Sequence, residues 1–178
     1  RFVAIKSIGQ QDIQAVHRIR SELVQQRTAK VTQIRGLLAE YGTVVGRRID
    51  VLEHALPLIL EDAENGLTAD FRVLLEGLQQ DLTTLNGRVD DLDKTIKSLA
   101  TSNTDAKRLQ QIPGIGPIIA TALICAIGDG KQFKRGRDMA AWLGLTPRQH
   151  SSGGKDRLLG ISKHGDAYLR TLLIHGAR

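Results

Sequence analysis

Aromatic residues are scarce in this chain of 178 residues, where Phe, Trp and Tyr together make up only 3% of the sequence. Because 41% of the residues are apolar, the core must be built from aliphatic side chains, which suits packed helices. No convincing alternation of apolar and polar residues with a period of two is present. We therefore predict an all-α fold, or nearly so.

Cysteine is almost absent, and long hydrophobic runs are missing. The single cysteine, Cys125, cannot form an internal disulfide, which fits a reducing cytoplasm, and we expect its thiol to be a small core side chain. No apolar run approaches the ~20 residues that span a bilayer, and no signal peptide is visible. We therefore predict a cytoplasmic protein without membrane contact. The first residue is Arg1 rather than Met, so we expect the chain to be part of a longer protein.

The net charge of +6 is unevenly distributed along the chain. Residues 1–50 carry a net charge of +5, residues 51–102 of −6 and residues 128–178 of +6. Two basic regions thus flank an acidic one. This partition is expected where both ends face a polyanion and the middle is a solvated spacer.

Apolar spacing in the first hundred residues predicts long helices over 10–41 and 68–100, with a shorter one over 49–62. The second long helix carries a stripe close to a heptad seam. Its partner is either the first helix folded back or a second copy of the chain, which would make a homo-oligomer. The stripe consists of Leu74, Leu78, Leu82, Leu85, Val89, Leu92, Ile96 and Leu99.

A break at Ser102–Asp105 predicts a domain boundary. We divide the chain into a helical coiled-coil linker, residues 1–102, and a compact helical C-terminal domain, residues 103–178. Within the latter, short helices are expected over 136–144 and 166–174. Side chains expected in its core include Trp142, Leu143, Tyr168, Leu169, Leu172 and Leu173.

The most informative stretch of the chain is an Ile-Pro-Gly-Ile-Gly turn that leads into an apolar helix. Pro113 restricts φ, while Gly114 and Gly116 carry no Cβ, so a group from outside the protein could approach closely. Backbone N–H groups at the start of the helix would face a phosphate. The pattern resembles a helix-hairpin-helix, with Leu109 and Ile112 expected behind the turn. An ordinary loop is the alternative.

A second glycine-rich segment, residues 146–162, is too rich in Gly, Ser and Pro to be helical. Two glycines follow Ser152, so its hydroxyl would stand free of neighbouring side chains, and flanking cations could stabilise a reacting phosphate. Serine needs a base, for which His150 and His164 are candidates. A flexible phosphate-contacting loop without chemistry is the alternative.

Three stretches of the sequence make a resemblance specific: IPGIGPIIATALICAIGDGKQF, AAWLGLTPRQHSSGGK and GISKHGDAYLRTLLIHGA. They resemble the C-terminal transposase domain of the bacterial insertion-sequence family that includes the pilin-gene invertases. The preceding hundred residues resemble the helical linker of that family. The family joins this part to an N-terminal RuvC-like domain with four acidic residues.

The resemblance implies that Ser152, which precedes Gly153, is the nucleophile that joins to DNA, and Ser151 is the weaker candidate. It also implies Mg²⁺, held by the acidic tetrad of the N-terminal domain; none of that tetrad can be assigned in this chain. Some members use a structured guide RNA to choose DNA sites. We expect nucleic-acid contacts from Gly114, Gly116, Arg148, Lys155, Arg157, Lys163, His164 and Arg170.

These features predict part of a DNA transposase or site-specific recombinase that is inert without its RuvC-like domain. Two alternatives remain. One is a non-enzymatic helix-hairpin-helix DNA-binding module on a coiled coil, and the other is a truncated remnant without activity. The Ser152-Gly153 pair distinguishes the enzyme from a pure binding module, which does not need it.

Overall fold

The computed structural model describes residues 5–150, 154 and 157–177. These residues form seven helices and one antiparallel pair of short strands, which confirms the predicted helical class. The elements are α1 (Ile8–Glu40), α2 (Ile49–Glu61), α3 (Ala69–Ser102), α4 (Thr104–Leu109), α5 (Pro117–Ile127), α6 (Gly136–Trp142), β1 (Pro147–Gln149), β2 (Leu158–Ile161) and α7 (Ala167–Gly176).

By its internal packing the chain divides into two compact units. The first unit consists of residues 1–17 and 95–178, and the second of residues 18–94. Helices α1 and α3 each contribute residues to both units. Packing thus divides the chain after residue 17 and after residue 94. The domain boundary expected between residues 102 and 103 stays a prediction.

The second unit is a helical hairpin in which α1 and α3 run antiparallel. Lys30 of α1 forms an ion pair of 2.9 Å with Asp81 of α3, and Arg20 pairs with Asp93 further along α3. As the residue number rises along α1, the number of the paired residue on α3 falls, so the two helices run antiparallel. The partner of the heptad stripe is therefore α1 of the same chain, as the first of the two sequence alternatives proposed.

The core of this unit combines residues from all three helices and is entirely aliphatic except for Phe71. Every third or fourth position of α3 faces it, because the heptad repeat keeps one stripe toward the partner helix. The stripe begins one residue later than predicted: Leu75 is fully buried, whereas Leu74 is 65% exposed. The buried side chains include Val31, Ile34 and Leu38 of α1, Leu52 and Leu56 of α2, and Phe71, Leu75 and Leu82 of α3.

The exposure difference along the stripe leads to a paired test. Replacing Leu82, which is 1% exposed, with Ala should lower the free energy of unfolding by ~2–5 kcal/mol, since a buried cavity remains. Replacing Leu74 with Ala should change it by no more than about 0.5 kcal/mol, because that side chain already contacts water. Chemical denaturation of both variants measures the difference; equal losses would contradict the observed register.

The first unit is built on α5, whose apolar sequence is surrounded by α4, α6 and α7. Leu123 of α5, Leu143 and Leu169 lie in one buried cluster, and Ala106 and Ala120 lie in a second. Leu109 packs against both clusters, as predicted for the residue behind the glycine turn. Two expected core residues are largely at the surface instead, since Ile112 is 50% exposed and Trp142 40%.

Several helix ends follow the residue types that the sequence places there. Gly42, with φ of 78°, follows the end of α1, and the Thr68 hydroxyl accepts a hydrogen bond of 3.2 Å from the N–H of Phe71 at the start of α3. Asn103 lies between the end of α3 and the start of α4. Its side-chain oxygen caps α4 by accepting a hydrogen bond from the N–H of Ala106. Helix α4 itself was not predicted, because six residues are too few to show a periodic stripe.

Candidate nucleic-acid interface

The glycine turn lies between α4 and α5, as a connection of two short packed helices. The N–H of Ile112 donates to the carbonyl of Leu109 at 3.1 Å, and the N–H of Ile115 donates to the carbonyl of Ile112 at 3.0 Å. Pro117 occupies the first position of α5, where its missing N–H costs no helical hydrogen bond. Residues 111–114 are exposed, so the outer side of the turn faces solvent.

Gly114 has a neighbour inside the protein that by itself requires a glycine, and its expected contact with nucleic acid stays a prediction. Its φ is 84°, and a Cβ at this position would lie 2.0 Å from the carbonyl oxygen of Gly176 at the end of α7. A Cβ on Gly176 would in turn lie 2.4 Å from the carbonyl oxygen of Gly114. The two glycines therefore let the turn and the last helix meet backbone to backbone.

Gly116 has the open environment that was expected of both turn glycines. It is the N-cap of α5, and its carbonyl accepts the N–H of Ala120 at 3.0 Å. A Cβ built on Gly116 would meet nothing within 4 Å. The first N–H groups of a helix have no partner within the helix and carry its positive dipole end, which favours an anion.

Two paired strands, β1 and β2, lie within the segment over 146–162, where an irregular loop was expected. Strand β1 pairs with β2 in antiparallel fashion, with Pro147 opposite Ile161 and Gln149 opposite Leu158. The N–H of His150 donates to the carbonyl of Arg157 at 2.9 Å, which extends the ladder beyond the strands. The sequence between residues 150 and 157 connects the two strands, and both strands are mostly exposed.

The serine predicted as nucleophile belongs to this connection. Ser152 lies outside the described residues, as do Ser151, Gly153 and Lys155. The predicted contact residues Arg148 and Arg157 flank the connection on the hairpin and are exposed. The hairpin therefore carries exposed cations on both sides of the segment that contains the serine.

Lys163, His164 and Arg170 meet at the turn that follows β2. Lys163 and His164 are exposed, as expected of contact residues. Arg170 makes internal contacts: its Nη1 donates to the carbonyl oxygens of Leu143 and His164, each at 3.1 Å, and its expected contact with nucleic acid stays a prediction. Arg170 thus fastens the turn to the end of α6, a structural contact that the sequence did not indicate.

A buried polar cluster that sequence reasoning missed joins three helices of the first unit. His17 of α1 is 3% exposed; its Nδ1 lies 3.0 Å from the hydroxyl of Tyr168, and its Nε2 lies 2.9 Å from the hydroxyl of Thr121. The hydroxyl of Thr121 also lies 2.8 Å from the carbonyl of Pro117, to which it can donate. The sequence does not indicate that His17 joins these helices, because a single histidine beside an apolar stripe is not a recognisable motif.

Three acidic residues of this unit make local contacts in the structure. Asp166 caps α7 by accepting from the N–H of Leu169 at 3.1 Å, and Asp138 accepts from the N–H of Arg135. Asp129 accepts a hydrogen bond of 2.9 Å from Lys131, which lowers the pKa of the carboxyl and raises that of the ammonium. The charge of Lys131 is therefore offset by a neighbouring carboxylate.

Among the residues that the structure describes, no group of three His, Cys, Asp or Glu side chains is placed to hold a metal ion. Cys125 is buried, with its Sγ 3.2 Å from the carbonyl of Ala122. Within the described ranges, no helix is long and apolar enough to cross a membrane.

Along nearly its whole length the chain is similar to transposases of bacterial insertion sequences. It is 46% identical over 178 residues to the transposase for insertion sequence element IS1111A of Coxiella burnetii, which covers 100% of this chain and 49% of that protein. It is 38% identical over 177 residues to the transposase for element IS1328 of Yersinia enterocolitica, covering 99% of this chain and 52% of the relative.

The C-terminal region carries the more widely shared signal. Residues 106–178 match the model of the transposase IS116/IS110/IS902 family. A pilin gene-inverting protein of Moraxella bovis is 40% identical over 74 residues, which cover 40% of this chain and 22% of that protein. The chain spans about half the length of the curated transposases that it matches over its whole length.

Proposed function

We propose that this chain is part of a DNA transposase or site-specific recombinase, in which the first unit binds DNA and Ser152 forms the covalent link to a strand. The observation that carries the proposal is the exposed β-hairpin within the matched region, with Arg148 and Arg157 flanking the serine segment. Cations at both sides of a nucleophile suit a reacting phosphodiester, whose oxygens gain negative charge in the transition state.

The turn between α4 and α5 supplies a second contact in this proposal. In this proposal the two short packed helices joined by the glycine turn act as a helix-hairpin-helix, which is supported by the open space at Gly116 beside the N-terminal end of α5. A phosphate of the DNA backbone would accept hydrogen bonds from the N–H groups there. Contacts of this kind position DNA without selecting a sequence.

The proposed chemistry is a transesterification that conserves the number of phosphodiester bonds. The Ser152 oxygen forms a bond to phosphorus, the bond from phosphorus to one sugar oxygen breaks, and the serine proton passes to that departing oxygen. Attack by a different sugar hydroxyl reverses the step and releases the serine, so that strands are exchanged. His150 and His164 remain the candidate bases from the described part of the chain.

Assembly of several copies is a further part of the proposal. The residues of the heptad stripe, including Leu82 and Val89, are buried against α1 of the same chain. An oligomer that uses the coiled coil would therefore join through other surfaces of α1, α2 or α3. Contact with a guide RNA, which the resemblance implies for some members of the family, stays a prediction.

Salt dependence of DNA binding tests the phosphate contacts. Titration of the chain against a labelled duplex should show a Kd that rises steeply with salt, because each neutralised phosphate contributes ~0.9 to the slope of log K against log salt. Duplexes of unrelated sequence should give similar Kd values. The proposal fails if binding is absent at low salt or does not respond to it.

A further inference from the structure

The segment Ser162–Gly165 contains an unusual backbone conformation. Lys163 has φ of 58°, and among the residues that the structure describes it is the one non-glycine residue with positive φ. Left-handed backbone places Cβ against the following carbonyl oxygen, so this region is occupied mainly by Gly, with Asn and Asp less often. A lysine in this conformation stores strain that the surrounding structure must sustain.

Three hydrogen bonds hold the segment in place. The N–H of Ser162 donates to the carbonyl of Thr146 at 2.8 Å, and the N–H of Lys163 donates to the carbonyl of Gly144 at 3.1 Å. The carbonyl of His164 accepts from Nη1 of Arg170 at 3.1 Å. The backbone on both sides of Lys163 is thus tied to the C-terminal end of α6 and to α7.

Two glycines allow the backbone of the turn to pack directly on the backbone at the end of α6, where a side chain would clash. A Cβ on Gly144, with φ of 72°, would lie 1.9 Å from the carbonyl oxygen of His164. A Cβ on Gly165, with φ of 86°, would lie 2.0 Å from the carbonyl oxygen of Trp142. The turn is therefore rigid, and it imposes the left-handed conformation on whichever residue occupies position 163.

Folding alone gives no reason for a lysine at this position. The Lys163 side chain is exposed, and glycine or asparagine would meet the backbone requirement with less strain. His164 beside it is also exposed, and the sequence from residue 128 to 178 carries a net charge of +6. Because the backbone strain at Lys163 is not needed for folding, it indicates that this exposed cation has a function.

We propose that Ser162–Gly165 is a preformed phosphate-binding turn, in which the strained conformation of Lys163 presents its ammonium group to the backbone of duplex DNA. The proposal rests on the DNA binding proposed above and assigns one of its contacts to a rigid element. Because the turn is fixed before binding, little conformational entropy is lost when the phosphate is bound.

The test compares stability and DNA binding in the same variants of the full chain. Lys163→Asn and Lys163→Gly relieve the strain and remove the charge, so their melting temperatures should rise by about 2–4 °C. Their Kd for a labelled duplex at low salt should rise roughly tenfold, and the salt slope should fall by about 0.9. Lys163→Arg keeps both charge and strain and should bind like the parent.

The control is Lys134→Asn, which removes one exposed cation from the same unit at a position without positive φ. We expect it to weaken binding less than Lys163→Asn and to leave the melting temperature without a gain. If Lys163→Asn binds like the parent, or no more weakly than Lys134→Asn, the turn is not a phosphate site although DNA binding stands. If the parent itself shows no salt-dependent binding, both proposals fall.

Discussion

Replacing Ser152 with Ala is expected to abolish strand exchange and any covalent protein–DNA product while leaving DNA binding almost unchanged. Removal of the nucleophile from a serine enzyme lowers the rate roughly 10⁶-fold, since no other group can form the covalent intermediate. Loss of a single hydrogen bond to a phosphate would instead weaken binding by ~1 kcal/mol. The two roles of the serine therefore give separable results in one variant.

The assay for this prediction combines the chain with the RuvC-like domain and Mg²⁺ that the resemblance implies. Recombination between two DNA sites and a covalent complex that survives denaturation are measured side by side. Ser151→Ala is the matched control, because it alters the neighbouring hydroxyl and should retain activity. Recombination that survives in Ser152→Ala, or is lost only in Ser151→Ala, would overturn the assignment.

The second large effect is expected at Gly114, where the structure shows an internal contact that the sequence did not indicate. Gly114→Ala places a methyl group 2.0 Å from the carbonyl oxygen of Gly176 and forces alanine to φ of 84°. Overpacking of ~1–3 kcal/mol and strain of about 1 kcal/mol together predict a loss of roughly 2–4 kcal/mol in unfolding free energy. Thermal or chemical denaturation of the chain measures this loss.

Gly116→Ala is the matched control for this prediction, two residues further along the same turn. Its φ of −85° suits alanine, and no atom lies within 4 Å of the added Cβ. Stability should therefore fall by no more than about 1 kcal/mol, the cost of alanine as a poorer N-cap than glycine. If both variants were equally stable, the contact between Gly114 and Gly176 would not be the reason for the glycine.

These two glycines illustrate how far sequence reasoning reaches at the candidate interface. The sequence indicated that both lack a Cβ for a reason and that a helix starts directly after them, and α5 begins at Pro117. It could not indicate that Gly114 faces α7, because residues 114 and 176 are brought together only by folding. A backbone contact between distant residues leaves no periodic signal.

The β-hairpin could not be predicted for a different reason: the local sequence of its strands carries no recognisable pattern. Strands β1 and β2 have three and four residues, and nearly all of their side chains are exposed. Alternation of apolar and polar residues arises when one face of a strand is buried, and here neither face is. The sequence analysis therefore excluded a helix over this segment correctly but did not predict the strands.

The sequence by itself determined where the long helices run and, within about two residues, where they begin and end. Apolar periodicity, N-caps and the glycine that follows a helix are local properties, since each depends on residues a few positions apart. Only the tertiary structure decided that the stripe of α3 begins at Leu75 and packs on α1, that His17 bridges to Thr121 and Tyr168, and that Arg170 holds the turn of Lys163. Each of these contacts joins residues far apart in the chain, so its partner is chosen by the packing of whole helices.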